Sequence, residues 1–207
     1  MNQFVELFGD RVKGFWQTPS DDQKKELLAD ILRFANSNPQ SFKQDLDKVL
    51  FDKNITPLPV VLEALSKDAD TWGQFYIDTL DKIFEQAKQT EKPKDILTNL
   101  MEFAYIEKTN RPFVQRIVDR LHKETDSGNL STKLAAISTL PPFLTNPSVR
   151  NRSQITDSLQ KKLHDKNWKV RYVAFTSLGY EDILPAGHKL SLADQLRKLV
   201  FGTPPTL

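Results

Sequence analysis

The sequence predicts an all-α protein that folds as a right-handed solenoid of about five antiparallel helix pairs. Apolar residues recur along the chain with the spacing of about 3.6 residues that places them on one face of a helix. Five of the twelve prolines stand where one of these periodic segments is predicted to begin, and no segment alternates apolar and polar residues between hairpin turns. Helix pairs with similar residues recur at intervals of 37 to 38 positions, which is typical of stacked helical repeats.

Six helices are predicted in the N-terminal half of the chain. The first starts near the N-terminus, and the second opens at a capping box formed by Ser20 and Gln23. A proline begins three others, at Pro39, Pro57 and Pro93, because the first turn of a helix tolerates the missing N–H. The apolar stripes of these helices lie within 4–15, 27–35, 42–50, 61–65, 72–87 and 96–104.

Five further helices are predicted in the C-terminal half. Pro112 and Pro147 each begin one of them, and a turn over 126–129 precedes another. Asn167 and Ser191 are predicted as the caps of the last two helices. The apolar stripes here lie within 113–121, 134–140, 149–163, 170–178 and 192–200.

The clearest internal repeat lies in the C-terminal half. A set of five residues recurs 38 positions earlier with similar size and charge, and two helices stay in register at this shift. A further shift of 37 relates residues 117–140 to residues 80–103. Before residue 75 no single shift keeps the helices in register. The matching sets are Ile155, Leu159, Arg171, Ala174 and Leu178 on one side and Ile117, Leu121, Lys133, Ala136 and Leu140 on the other.

The segment 155–179 resembles a HEAT repeat, with a first helix, a turn that bears Asp165, and a second helix that opens with Val170-Arg171 and closes with Leu178-Gly179. A repeat around Lys133 resembles it in part, and the first 75 residues share only the helical period. The resemblance implies an α-solenoid in which Asp165 and Arg171 join a ladder of contacts between the turns and helices of neighbouring repeats. The fold serves many functions, so it identifies an architecture more than an activity.

We therefore expect a single helical-repeat domain over residues 1–207. In this interpretation 1–75 are divergent N-terminal repeats, 76–190 are the clearer repeats, and 191–207 form a C-terminal cap and tail. The first and last helices would seal the ends of the stack, because a terminal repeat has no neighbour to cover it.

The composition limits where the protein can be located and which kinds of chemical site it can contain. The chain contains no cysteine, which excludes disulfides, thiolate metal sites and cysteine nucleophiles and favours a reducing, cytoplasmic location. No apolar run approaches the roughly 18 residues of a membrane span, and the N-terminus lacks the pattern of a secretory signal.

Charge divides the chain into an acidic and a basic half. Residues 1–104 contain 13 Lys and Arg against 18 Asp and Glu, a net charge of −5. Residues 105–207 contain 16 against 9, a net charge of +7. In an elongated protein such halves would present an acidic end and a basic end to partners.

No catalytic or cofactor motif was found in the sequence. His122, His164 and His188 are far apart in the sequence and have no metal-ligand spacing. The glycines form no phosphate-binding loop and no nucleophile elbow. We therefore expect a protein that is not an enzyme and that uses no metal or other cofactor.

The strongest candidate for a binding surface is a basic cluster in the C-terminal half. Seven Lys and Arg lie between Arg150 and Arg171, with Trp168 and Tyr172 among them. Such a cluster can hold an acidic peptide or a phosphate backbone. The alternative interpretation is a solvated helix face, with Trp168 and Tyr172 covering the neighbouring repeat. The predicted partner-binding residues are Leu130, Lys161, Lys162, Lys166, Trp168, Lys169 and Tyr172.

The helical period separates two faces of the segment 168–178. Val170, Ala174 and Leu178 form the stripe that we expect in the core. Lys169 and Tyr172 lie on the other side, so they can meet a ligand unless the helix that follows Ser191 covers them.

Two functions remain open at this point. The first is a non-catalytic protein–protein interaction or scaffold module that binds another protein with an acidic surface or peptide, with no membrane involved. The alternative is a nucleic-acid-binding protein similar to the DNA-alkylation-repeat glycosylases, with Trp168, Tyr172, Asp165 and Arg171 as candidate contacts. The acidic N-terminal half disfavours a continuous DNA groove.

Overall fold

The computed structural model of the chain describes residues 2–15, 17, 19–52, 57–91, 93–103 and 112–203. Every regular element in these ranges is an α-helix or a 3-10 helix, and none is a strand, so the all-α prediction is confirmed. The chain divides into two compact units, Met1–Gly73 (unit 1) and Gln74–Leu207 (unit 2). None of the described helices combines the length and the apolarity that crossing a bilayer requires.

Unit 1 contains four complete helices and the start of a fifth. Ser20 and Gln23 form the predicted capping box at the second helix, and α2 packs against α3 and α4 while α1 contacts all three. The helices are α1 (Gln3–Gly14), α2 (Asp21–Ser37), α3 (Pro39–Val49), α4 (Pro57–Leu65) and α5 (Ala69–Gln89), with a 3-10 turn over Ser66–Asp68.

Aromatic rings form the core of unit 1. The Phe42 ring lies 6.0 Å from that of Phe4 and 5.3 Å from that of Trp72 (centroid distances). Trp72 is buried, and its indole Nε1 donates a 2.7 Å hydrogen bond to the Asn36 side chain. Trp72 thus anchors the core of this unit.

Unit 2 continues from α5 through six further helices. They are α6 (Pro93–Leu97), α7 (Pro112–Glu124), α8 (Leu130–Thr139), α9 (Arg152–Lys161), α10 (Trp168–Tyr180) and α11 (Leu192–Phe201), with 3-10 helices over Thr98–Phe103, Pro141–Thr145 and Lys162–His164. Helix α7 packs on α8, α9 packs on α10, and α8 packs on α10. Two successive helix pairs are thus in contact through their second helices.

Two helix boundaries differ from the sequence prediction. The helix expected from Pro147 begins at Arg152 instead, because Asn151 has a left-handed backbone conformation (φ 55°, ψ 28°). The helix expected from Pro93 is α-helical only to Leu97 and continues as a 3-10 helix over Thr98–Phe103; the end of its predicted stripe, Ala104, lies outside the described residues. There Thr98 and Asn99 donate side-chain hydrogen bonds to carbonyls three residues earlier, and such bonds compete with regular α-helical geometry.

The core stripe predicted for α9 and α10 is confirmed. Leu159, Leu163, Val170, Ala174 and Leu178 are all buried. Burial of this stripe on one face of each helix is what holds the pair together, because each helix alone would leave its apolar face in water.

Polar contacts also join successive repeats of unit 2 at nearly constant sequence separation. Lys162 pairs with Asp126, 36 residues earlier, and Arg120 pairs with Asp81, 39 residues earlier. The backbone N–H of Arg150 donates to the side chain of Gln115, 35 residues earlier. These separations, 35 to 39 residues, are close to the 37 to 38 residue shift in the sequence, so the polar contacts follow approximately the same period as the apolar core.

Candidate functional site

The basic segment, residues 150–203 of unit 2, contains the predicted binding cluster. It has ten Lys and Arg against five Asp and Glu, a net charge of +5. Lys162, Arg171 and Arg197 form ion pairs. The remaining cations have no ion pair with any described residue: Arg150, Arg152, Lys161, Lys166, Lys169, Lys189 and Lys198. An excess of unpaired positive charge therefore surrounds this part of the molecule.

Local hydrogen bonds set the start of α10 within this segment. The Asp165 carboxylate accepts from the backbone N–H of Asn167 at 2.7 Å, and the Asn167 side chain accepts from the backbone N–H of Lys169 at 2.9 Å. These bonds satisfy donors that the helix itself leaves free. In the helix that starts here, Val170 and Ala174 are buried in the core and Lys169 is partly exposed.

Tyr172 lies in a different environment from the one expected of a contact residue. The side chain is buried, with 5% of its surface exposed, and the ammonium group of Lys198 lies 5.5 Å from the centre of its ring. Helix α11 thus supplies a residue that covers the face of Tyr172 predicted to be open. A cation over an aromatic face is a favourable contact, so the ring is already occupied within the chain.

The other predicted residues divide into available and engaged ones. Lys161 and Lys166 are exposed, and Lys169 is half-buried. Lys162 is engaged instead, because its ammonium pairs with Asp126 and 12% of its side chain is exposed. Trp168 is half-buried, with its ring 6.4 Å from that of Phe201.

Leu130, the remaining predicted residue, is half-buried at the first position of α8. Helix α8 packs on α10. Lys161, Lys166 and Lys169 therefore remain the predicted contact residues with unpaired charge.

Arg171 and Asp194 form the strongest polar contact of the segment. The guanidinium donates from Nε to Oδ2 at 2.8 Å and from Nη2 to Oδ1 at 2.6 Å. The carboxylate is almost fully buried, with 2% of its side chain exposed. The hydrogen bond from Arg171 lowers the pKa of Asp194 below its ordinary value, although burial acts in the opposite direction. This bidentate pair holds α11 against α10.

The HEAT resemblance implies a ladder of contacts through Asp165 and Arg171, and the structure shows what Arg171 binds. Arg171 does bind its own turn, because Nη1 donates to the backbone carbonyl of Asp165 at 2.6 Å and to that of Lys166 at 3.1 Å. The carboxylate that it binds belongs to Asp194 in the following helix. Asp194 was not among the residues predicted from the sequence. Its spacing from Ser191, whose hydroxyl accepts from the Asp194 N–H, marks the start of a helix and gives no sign of the pairing with Arg171.

Helix α11 has its apolar side facing away from α10. Asp194 is its only buried residue among 192–201, and the helical period places the leucines on the opposite side from Asp194. The exposed large apolar residues are Leu192, Leu196, Leu199, Val200 and Phe201. The sequence predicted a cap that seals the stack, but a sealing helix presents a polar outer face. The described tail, Gly202 and Thr203, is exposed, and the rest of the tail lies outside the described residues.

Two of the histidines that are distant in the sequence are neighbours in the structure. The rings of His164 and His188 lie 5.6 Å apart, and the Phe175 ring lies 6.2 Å from that of His188. Over the described ranges, no group of three His, Asp or Glu residues could hold a metal ion. The pair joins the 3-10 helix Lys162–His164 to the loop before α11.

A separate cleft of about 430 Å³ lies in unit 1, between the end of α1 and the start of α2. Arg11, Phe15, Lys24 and Leu27 are among the residues that line it. The Lys24 ammonium lies 5.8 Å from the centre of the Phe15 ring. None of the predicted binding residues lines this cleft.

Comparison of the chain with protein-family models, curated proteins and solved structures finds no match.

Proposed function

We propose that this protein is a non-catalytic interaction module that binds an acidic partner protein through the basic segment. One observation carries the proposal: Lys161, Lys166 and Lys169, which have no ion pair with a described residue, occur in the same segment as the exposed apolar side of α11. Exposed apolar surface of this kind is typical of protein interaction sites.

The two features would contribute differently to binding. Unpaired lysines attract an acidic surface over several ångströms and orient it before contact. The apolar side chains then remove surface from water, which supplies most of the affinity in protein interfaces. A partner with an acidic rim around an apolar anchor matches both.

The architecture proposed for this function is the solenoid predicted from the sequence. We propose about five helix pairs in a right-handed, HEAT-like stack, with the two contacting pairs of unit 2 as its best-supported part. A protein of this kind would serve as a scaffold, because a row of helix pairs offers a long surface without needing an active site. The cytoplasm is proposed as its location because the chain contains no cysteine.

Nucleic-acid binding is the second candidate, and the unpaired cations favour it as well. The aromatic residues expected to contact nucleic acid are not free for base stacking, because Lys198 lies over Tyr172 and Trp168 lies against Phe201. Bases stack on free aromatic faces when single strands bind. Arg171 is also engaged by Asp194. We therefore favour a protein partner.

Affinity capture with a charge-reversed variant tests the proposal. The variant carries Lys161→Glu, Lys166→Glu and Lys169→Glu, and it leaves Lys162 unchanged because that residue pairs with Asp126. The matched control carries Lys25→Glu, Lys67→Glu and Lys123→Glu, three exposed lysines outside the basic segment. We expect the first variant to lose partners that the wild type and the control both retain.

Equal sets of partners for the two variants would contradict the role of these lysines. Retention of the wild type on immobilised nucleic acid, falling steeply between low and moderate salt, would favour the second candidate instead. Both variants must keep the helical circular dichroism of the wild type for the comparison to count.

A further inference from the structure

Helix α11 occupies the repeat position that follows α9. A shift of 37 residues takes Ile155, Leu159 and Leu163 onto Leu192, Leu196 and Val200. The first three side chains are 3%, 0% and 4% exposed, whereas the second three are 72%, 52% and 73% exposed. The same apolar pattern is therefore buried in one repeat and open to solvent in the next.

The difference follows from what packs on each helix. Helix α9 and its 3-10 extension contact α10, which presents the stripe of Val170, Ala174 and Leu178. Within the described ranges, no helix packs on α11 in the corresponding way. Helix α11 is thus the first helix of a pair whose second helix is not supplied by these residues.

We propose that an acidic amphipathic helix of a partner protein docks on the exposed face of α11 and completes this pair. The docked helix would occupy the place on α11 that α10 occupies on α9. It would carry apolar residues four positions apart, as α10 does at 170, 174 and 178, and acidic residues on its flanks. This inference rests on the proposed function and specifies the partner of the same segment.

The polar contacts of α11 keep its apolar face turned outward. The Arg171–Asp194 pair and the Lys198–Tyr172 contact both lie on the side facing α10. With the helix fixed in advance, a docking partner does not have to order it, and preorganisation of this kind favours binding. The face is thus prepared for a partner in the free protein.

Charge favours a partner helix over a second copy of the chain. Lys189, Arg197 and Lys198 are exposed around it, so two copies would bring like charges together. An acidic helix removes that repulsion and can also contact the flank of α10.

Fluorescence anisotropy with labelled peptides tests the inference on the full chain. The probe is a 16-residue peptide, a length set at roughly the minimum for a helix, with leucine at every fourth position and glutamate on the flanks. A second peptide replaces each glutamate with lysine, and a third keeps the composition but scrambles the leucine spacing. We expect the acidic patterned peptide to bind at least about tenfold more tightly than either control.

Matched substitutions locate the binding to α11. Leu199→Gln combined with Leu196→Gln should weaken the acidic peptide at least about tenfold. Leu7→Gln, which changes an exposed leucine of unit 1, should leave its affinity within about twofold. All of these leucines are exposed, so the variants are expected to keep the wild-type helical content.

Several results would overturn the inference. They are equal affinity for the patterned and scrambled peptides, unchanged affinity in the α11 variant, a concentration-dependent dimer that the α11 variant abolishes, or binding of the wild type to anionic phospholipid vesicles but not to the acidic peptide. The proposed function fails separately, through unchanged partner capture in the lysine variant. If partner capture depends on the lysines but not on α11, the proposed function stands and this inference is wrong.

Discussion

The guanidinium of Arg171 and the carboxylate of Asp194 form a bidentate pair across 23 residues of sequence. Asp194 is the single buried residue of the described part of α11. The attachment of this helix therefore depends on a charged contact more than on apolar burial. Since the apolar side chains of α11 face solvent, the pair decides which side of the helix meets α10.

Removing the carboxylate should loosen α11. Asp194→Asn keeps the size of the side chain but loses the charge that holds Arg171, at a cost of about 2 kcal/mol. Hydrogen–deuterium exchange should then show faster exchange across 192–201, by about tenfold or more, with α7 and α8 unchanged. Asp182→Asn changes an exposed aspartate before α11 and serves as the control. Wild-type protection of 192–201 in Asp194→Asn would contradict the role assigned to the pair.

The same pair makes stability depend on pH. The pKa of Asp194 is lowered in the folded protein, chiefly by the hydrogen bond from Arg171. The stabilisation is therefore fully present above the ordinary pKa of an aspartate and is lost as the pH falls through the lowered value.

We expect the free energies of urea unfolding of the wild type and Asp194→Asn to differ at pH 7, and the difference to shrink as the pH falls below about 4, the ordinary pKa of an aspartate. Comparing the two proteins at each pH cancels the contribution of the other carboxylates. A difference that stays constant well below that pH would show that the carboxylate is not what stabilises the contact.

The orientation of α11 shows where sequence analysis reaches its limit. A period of about 3.6 states which residues share a face of a helix but not which face turns inward. For α10 the apolar face is the buried one, as expected for Val170 and Leu178. For α11 the ion pair of Asp194 with Arg171 turns the polar face toward α10 and leaves the apolar face in solvent. No local pattern in 191–201 indicates that pairing.

Sequence signals between residues close in the chain predicted the structure better than they predicted contacts between distant residues. The capping box at Ser20 and Gln23 is present as predicted, because its partners lie three residues apart and need no tertiary context. Lys162 illustrates the opposite case, since the residue that removes it from the binding surface, Asp126, lies 36 positions earlier. The spacing of the repeats was visible in the sequence, whereas the individual partners across that spacing were not.

A second ionic network should contribute to the stability of unit 2. Glu124 is buried and accepts from Arg120 at 2.5 Å and from Lys88 at 3.4 Å. Burial raises the pKa of Glu124, but the hydrogen bonds and charges of Arg120 and Lys88 together lower it. The guanidinium of Arg120 also lies 4.9 Å from the centre of the Phe84 ring. Glu124 thus contacts α5 through Lys88, while Arg120 of its own helix contacts Asp81 and Phe84 of α5.

Glu124→Gln should lower the free energy of unfolding by about 3 kcal/mol, because it leaves two cations without their shared buried partner. Glu85→Gln removes a carboxylate that also pairs with Lys88 but is largely exposed. It should cost no more than about 0.5 kcal/mol. Urea unfolding followed by circular dichroism measures both, and equal costs would show that burial of Glu124 adds nothing to the network.

The contrast between equivalent positions in α9 and α11 gives the last prediction. Leu159 is fully buried and Leu196, its equivalent 37 residues later, is 52% exposed. Leu159→Ala should destabilise the chain by about 2 to 5 kcal/mol, since it removes buried methylene groups and leaves a cavity. Leu196→Ala should change the free energy of unfolding by no more than about 0.5 kcal/mol.

The two substitutions delete the same atoms at the same repeat position, so their difference measures the covering helix that α9 has and α11 lacks. With the acidic peptide bound, Leu196→Ala should become destabilising relative to the wild type under the same conditions, because the peptide stabilises only the form that it binds. A large cost for Leu196→Ala without peptide would show instead that the face of α11 is already covered in solution.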